Sequence, residues 1–163
     1  VLEPKLMATL EQVMQRLTKL PHGESYHIIH QDAHGGNFYV DADRCITLFD
    51  FDDCAYGHEI YEIAMCILYG PVSEDLNRAV QFATDFLTGY ARENKLDPIW
   101  LNHLPDFMKL REIDLFAMIE RDVNWRGGED PWAERYMQGR YERLINDVPF
   151  IDFDFTSLAS IFS

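Results

Sequence analysis

Apolar residues first recur at helical spacing: Leu6, Leu10, Val13, Leu17 and Leu20 share one face, and Pro21-His22-Gly23 stops the pattern. The spacing predicts an amphipathic helix over about 4–20. The period then changes. Tyr26-His27-Ile28-Ile29, Asn37-Phe38-Tyr39-Val40 and Cys45-Ile46-Thr47-Leu48-Phe49 are short apolar runs of strand length. The last two flank Asp41-Ala42-Asp43-Arg44, which predicts a hairpin because Asp tolerates tight turns. Beyond Gly57 the helical period returns with Ile60, Ile63, Ala64, Ile67 and Leu68, and Gly70-Pro71 closes it. Ser73 is expected to cap a long helix carrying Leu76, Val80, Ala83, Leu87 and Tyr90. Two further helices are expected at about 104–125 and 131–147, separated by Gly127-Gly128, and the tail from Phe150 is too short and mixed to assign. Phe82, Phe86, Trp100, Phe107, Phe116, Trp125 and Trp132 sit where core or substrate-wall residues would sit, and core is the favoured reading.

The pattern describes one mainly helical domain over 1–163 with a small β insert, without repeats or linkers. At 163 residues and 47% hydrophobic, the chain can bury one substantial core but hardly two. A net charge of −14 argues against a nucleic-acid partner, which needs clustered Lys and Arg. It suits solubility first and a cationic substrate second. No apolar run approaches the roughly 20 residues of a membrane span. Cys45, Cys54 and Cys66 lack CxxC spacing and read as free thiols in a reducing compartment. With no signal peptide visible in Val1–Leu10, a cytoplasmic location is expected.

Chemistry concentrates in His30-Gln31-Asp32-Ala33-His34-Gly35-Gly36-Asn37, followed by Phe49-Asp50-Phe51-Asp52-Asp53. Apolar strands flank the first group, so Asp32 and Asn37 lie on a tight loop that Gly35-Gly36 allows to bend. Asp50 ends the second hairpin strand and could reach the same space. Two carboxylates and a carboxamide make an oxygen-rich site suited to Mg²⁺.

The spacing HxDxxxxN, an apolar strand and then D-F is that of the catalytic and magnesium loops of protein-kinase-like enzymes. The variant HQDAHGGN…FDFDD…YGHEIYEIA resembles the aminoglycoside phosphotransferase and choline kinase superfamily, most sharply over about 28–65. The resemblance implies the C-terminal catalytic lobe of a kinase-like fold. It further implies ATP as phosphoryl donor, Mg²⁺ as cofactor and a hydroxyl of a small antibiotic or metabolite as acceptor. Asp32 then resembles the catalytic base, Asn37 and Asp50 resemble the Mg²⁺ ligands on the nucleotide side, and His30 resembles a prop for the loop. Gln31 stands where relatives commonly have Gly. Glu62 replaces an Asp that anchors the loop, and a structural role is expected for it.

No glycine-rich phosphate loop, strand Lys or partner Glu precedes His30, so the nucleotide-binding lobe is expected to be absent. The chain then reads as a fragment of a longer kinase or a stand-alone lobe. The isolated chain is expected to be inactive and to self-associate through the face the other lobe would cover. The acceptor pocket is expected along the helices from 73 to 147, where Glu112, Asp114, Glu120, Asp122 and Glu129 could meet an aminated substrate, although exposed helix faces carry such charges anyway. Asp122, Asn124 and Trp125 are the candidate acceptor contacts. Two alternatives stand beside this reading. His30-x-Asp32-x-His34, on an extended backbone with Asp50, Asp52 and Asp53 nearby, would suit a metal-dependent hydrolase. A lobe without catalysis would serve as a binding module.

Overall fold

A computed structural model describes residues 3–70, 75–128 and 130–163. The elements run α1 (Pro4–Leu17), β1 (Tyr26–Ile29), β2 (Phe38–Val40), β3 (Ile46–Leu48), β4 (Ala55–His58), α2 (Glu59–Tyr69), α3 (Leu76–Glu93), α4 (Leu104–Asp122), α5 (Pro131–Met137) and α6 (Arg140–Ile145). Single 3-10 segments cover Pro98–His103, Trp125–Gly127 and Phe155–Phe162. The described chain is mainly helical with a small β part, as its periodicity predicts. It falls into two compact units.

The first unit takes the described residues of Val1–Leu20 and Pro105–Asp152. Proline at the first turn of α1 presets the helical φ. Leu6, Thr9, Val13 and Leu17 form the buried stripe, and the Thr9 hydroxyl donates to the Leu144 carbonyl of α6 at 3.2 Å. The helix stops at Leu17, short of the expected Leu20. α4 stops at Asp122 and buries Phe107, Met108, Ile113, Leu115, Phe116 and Ile119. The helix expected over 131–147 is two helices, because Gly139 takes a left-handed φ of +67° that interrupts the hydrogen-bond ladder. Asp130 caps α5 by accepting from the Trp132 and Ala133 amides.

The second unit takes Pro21–Leu104 and Phe153–Ser163. β2 and β3 form the expected antiparallel hairpin, with Phe38 opposite Leu48 and Val40 opposite Ile46. Its turn is held by Asp41, whose Oδ1 accepts from the Asp43 and Cys45 amides. β1 pairs antiparallel with β4, Tyr26 opposite His58 and Ile29 opposite Ala55. Sequence patterning does not show β4, because Ala-Tyr-Gly-His carries no apolar alternation. Gly57 gives the Ile29 side chain its room: a Cβ would lie 2.6 Å from Ile29 Cδ1, which would have to shift.

α2 is buried on almost every side, through Ile60, Tyr61, Ile63, Ala64, Met65, Ile67 and Leu68. Against it packs α3, which buries Ala79, Ala83 and Leu87 at four-residue spacing. Asp75 caps α3 through the Asn77 amide, and the expected cap, Ser73, lies outside the described residues. The tail from Phe155 packs against the Pro98–His103 segment and α3. Of the singled-out aromatics, Trp100, Phe107 and Phe116 are buried, whereas Phe82, Phe86, Trp125 and Trp132 are half-buried.

Candidate active site

β1 delivers the chain from buried Ile29 directly into buried His30. The His30 ring packs on Phe51, centroids 4.6 Å apart, and its Nε2 lies 2.9 Å from the Phe49 carbonyl. A carbonyl only accepts, so Nε2 carries the proton. Phe49 is held from its other side as well: its amide donates to the Asn37 carbonyl at 3.0 Å. His30 and Asn37 thus fix the residue before Asp50, which adopts φ +65° and presents an exposed carboxylate. Asp is among the few non-glycine residues that tolerate that conformation.

One stripe of α2 carries the loop. The Gln31 amide donates to Glu62 Oε2 at 3.0 Å, the Cys66 thiol donates to the Ala33 carbonyl at 3.3 Å, and the Tyr69 ring lies 5.0 Å from that of His34. Positions 62, 66 and 69 share a helix face. Glu62 therefore anchors the loop, the structural role expected of it. Burial pushes its carboxyl above the ordinary value, opposed in part by the Gln31 amide. Gln31 has φ +68°, which explains why a glycine would be at ease there. Cys66, Tyr69 and the Phe49 main chain were not among the sequence-level candidates. The i, i+4, i+7 spacing could have grouped 62, 66 and 69, but nothing local says what they face.

Asn37 is buried, and its Nδ2 donates both to the Asp32 carbonyl at 3.0 Å and to Asp32 Oδ2 at 2.9 Å. Asp32 and Asn37 are in direct contact, and Asp50 is tied to the same frame through Phe49. The donor set fits a hard cation. Both Asn37 N–H groups are spent on Asp32, so its oxygen is the atom left to ligate, and Asp50 adds a carboxylate. With so few protein ligands, a Mg²⁺ ion here would need oxygens from bound phosphates.

The hydrolase alternative does not hold. Among the described residues, no three His, Cys, Asp or Glu side chains converge as a metal site. The reason is local: the left-handed turn at Gln31 breaks the extended backbone on which His30, Asp32 and His34 would align.

The candidate acceptor residues belong to the first unit. Asp122 is exposed and paired with Arg121 at 2.6 Å. Asn124 precedes the Trp125–Gly127 turn, and Trp125 Nε1 donates to Glu120 Oε2 at 2.9 Å beneath the Arg126 guanidinium. Asp114 pairs with Arg111, and Glu120 pairs with Arg126. Glu112 is fully buried between Lys109 and Arg140, at 2.7 and 2.5 Å. Glu129 lies outside the described residues. Among the described helices, none is long and apolar enough to cross a membrane.

Comparison with known proteins identifies the family. Residues 2–96 match the model of the phosphotransferase enzyme family. Amicoumacin kinase of Bacillus subtilis (strain 168) is 35% identical over 94% of this chain and 47% of its own length. A solved structure, amicoumacin kinase hAmiN in complex with AMP-PNP, Ca²⁺ and Ami, superposes with a TM-score of 0.80 at 30% identity, covering 94% of this chain and 48% of that one. The chain spans about half the length of these relatives. Its architecture is that of the C-terminal lobe of a protein-kinase-like fold, and the chain belongs to the phosphotransferase enzyme family.

Proposed function

We propose that the protein carrying this chain is an ATP-dependent phosphotransferase acting on a hydroxyl of a small molecule, with an antibiotic as the favoured acceptor class. The carrying observation is the Asn37–Asp32 contact, 2.9 Å from Nδ2 to Oδ2, in a loop locked to the residue before Asp50. Asp32 orients the acceptor hydroxyl and takes its proton as the new O–P bond forms and the bond to the leaving nucleoside diphosphate breaks. Asn37 fixes that carboxylate and, with Asp50, would hold Mg²⁺. Bound there, the ion supplies charge stabilisation for the transferring phosphoryl group. The names of the two amicoumacin kinases, and the AMP-PNP and Ca²⁺ bound by one of them, support the nucleotide, the divalent cation and the antibiotic acceptor.

Asp122, Asn124 and Trp125 are proposed as acceptor contacts. On the same reading a nucleotide-binding lobe lies outside this chain and covers the β2–β3 face on which Val40 and Ile46 are 46% and 71% exposed. The chain alone should then self-associate and show no turnover. The free thiols support a reducing, cytoplasmic setting.

The test is made on the full-length protein. Asp32→Asn should lower turnover about 100-fold or more with nucleotide affinity nearly unchanged. Asp50→Ala should instead weaken binding of the metal–nucleotide complex. Full turnover by Asp32→Asn would overturn the assignment.

A further inference from the structure

His34 has no role in the chemistry described above, yet its ring is fixed on several sides. The Gly36 amide donates to its Nδ1 at 2.9 Å, and the Tyr69 ring lies 5.0 Å away, tilted by 45°. Gly36 must lack a side chain for this to happen, since a Cβ there would stand 2.7 Å from His34 Cε1. A backbone amide can only donate, so Nδ1 holds a lone pair, and the proton of the neutral ring is on Nε2. That Nε2 stands 3.4 Å from Asp32 Oδ2, the same oxygen that receives Asn37 Nδ2 at 2.9 Å.

We propose that His34 is a positioning residue for Asp32: the Gly36 amide selects its Nε2–H tautomer, which leaves the N–H on the nitrogen nearest Oδ2, beside Asn37, to donate there once the substrates are bound. The inference rests on the phosphotransferase reading for its consequence, but not for its geometry. Two donors approaching one oxygen restrict rotation of the carboxylate about its terminal bond, which is otherwise broad. The hydroxyl of the acceptor then meets a base held in one orientation, an effect on turnover more than on binding. Contacts of this kind tighten when the substrates are bound.

Two measurements on the full-length protein decide it. The first is long-range proton–nitrogen NMR on histidine-labelled protein, with His34→Gln identifying the resonance. The expected pattern is an unprotonated Nδ1 and a protonated Nε2, and a proton on Nδ1 overturns the proposal without reference to activity. The second is kinetic. His34→Leu should lower kcat about 10-fold with both KM values within about twofold, and His34→Gln, whose amide can also donate, should recover much of the loss. If Asp32→Asn is inactive while His34→Leu turns over at the parent rate, this proposal fails and the phosphotransferase reading stands. If Asp32→Asn is fully active, that reading fails, and the NMR result alone judges the tautomer. Should His34→Leu not fold, the NMR measurement on the parent still decides.

Discussion

Glu62 Oε2 accepts the main-chain N–H of Gln31 at 3.0 Å, joining α2 to the loop that carries Asp32 across 31 positions of sequence. Burial raises the Glu62 carboxyl above its ordinary 4.5. A carboxyl raised in the folded state contributes most stability while protonated. That contribution is complete below the unfolded value and is lost as pH rises through the folded one. Glu62→Gln keeps an acceptor for Gln31 and removes the ionisation. The parent should therefore lose stability relative to Glu62→Gln as pH rises above 4.5, seen in thermal melts across that range. A difference independent of pH would contradict this. Glu62→Ala, which strands the Gln31 amide, should cost about 1–3 kcal/mol.

A buried charge cluster sits in the other unit. Glu112 pairs with Lys109 and Arg140, Lys109 also donates to the Val148 carbonyl, and the Tyr136 hydroxyl donates to the Glu112 carbonyl. Removing the carboxylate leaves two buried cations without their partner. Glu112→Ala should cost about 3–5 kcal/mol in urea unfolding. Asp114→Ala, which breaks the more exposed pair with Arg111, should cost under about 1 kcal/mol. Equal costs would refute the distinction.

Two glycines of the second unit should respond oppositely to alanine. At Gly70, which ends α2, a Cβ would meet Phe82 Cε1 at 2.2 Å, and an aromatic ring cannot give way cheaply. Gly70→Ala should lower stability by about 1–3 kcal/mol. Gly89 is an exposed position within α3 with nothing within 4 Å, so Gly89→Ala should raise stability by about 0.5–1 kcal/mol. Denaturant midpoints for the two variants should move in opposite directions.

The three thiols should separate in reactivity. Cys45 and Cys54 are exposed, whereas burial and the nearby Glu62 push the Cys66 thiol up to about 12. The thiolate is the reactive form. A chromogenic disulfide reagent at mildly alkaline pH should titrate two thiols quickly, and the third only after unfolding. Three fast equivalents would mean that Cys66 does not bond to the loop carbonyl of Ala33.

What the sequence determined by itself is what depends on near neighbours. The stripe of Leu6, Val13 and Leu17, the hairpin at Asp41–Arg44, and the order His30, Asp32, Asn37, Asp50 are all local patterns, and local patterns suffice to read an amphipathic helix or a catalytic-loop spacing. The tertiary structure alone decided whatever needs a distant partner. β4 is a strand because β1 lies beside it, with no alternation of its own. Gly139 interrupts a helix whose apolar pattern continues through it. Glu62, Cys66 and Tyr69 become the bed of a loop some 30 residues earlier, and Glu112, readable from sequence as a substrate contact, is a buried ion-pair centre. Burial and pairing follow from contacts across the fold, and a carboxylate leaves the same letter in the sequence whether it meets solvent, a substrate or a buried lysine.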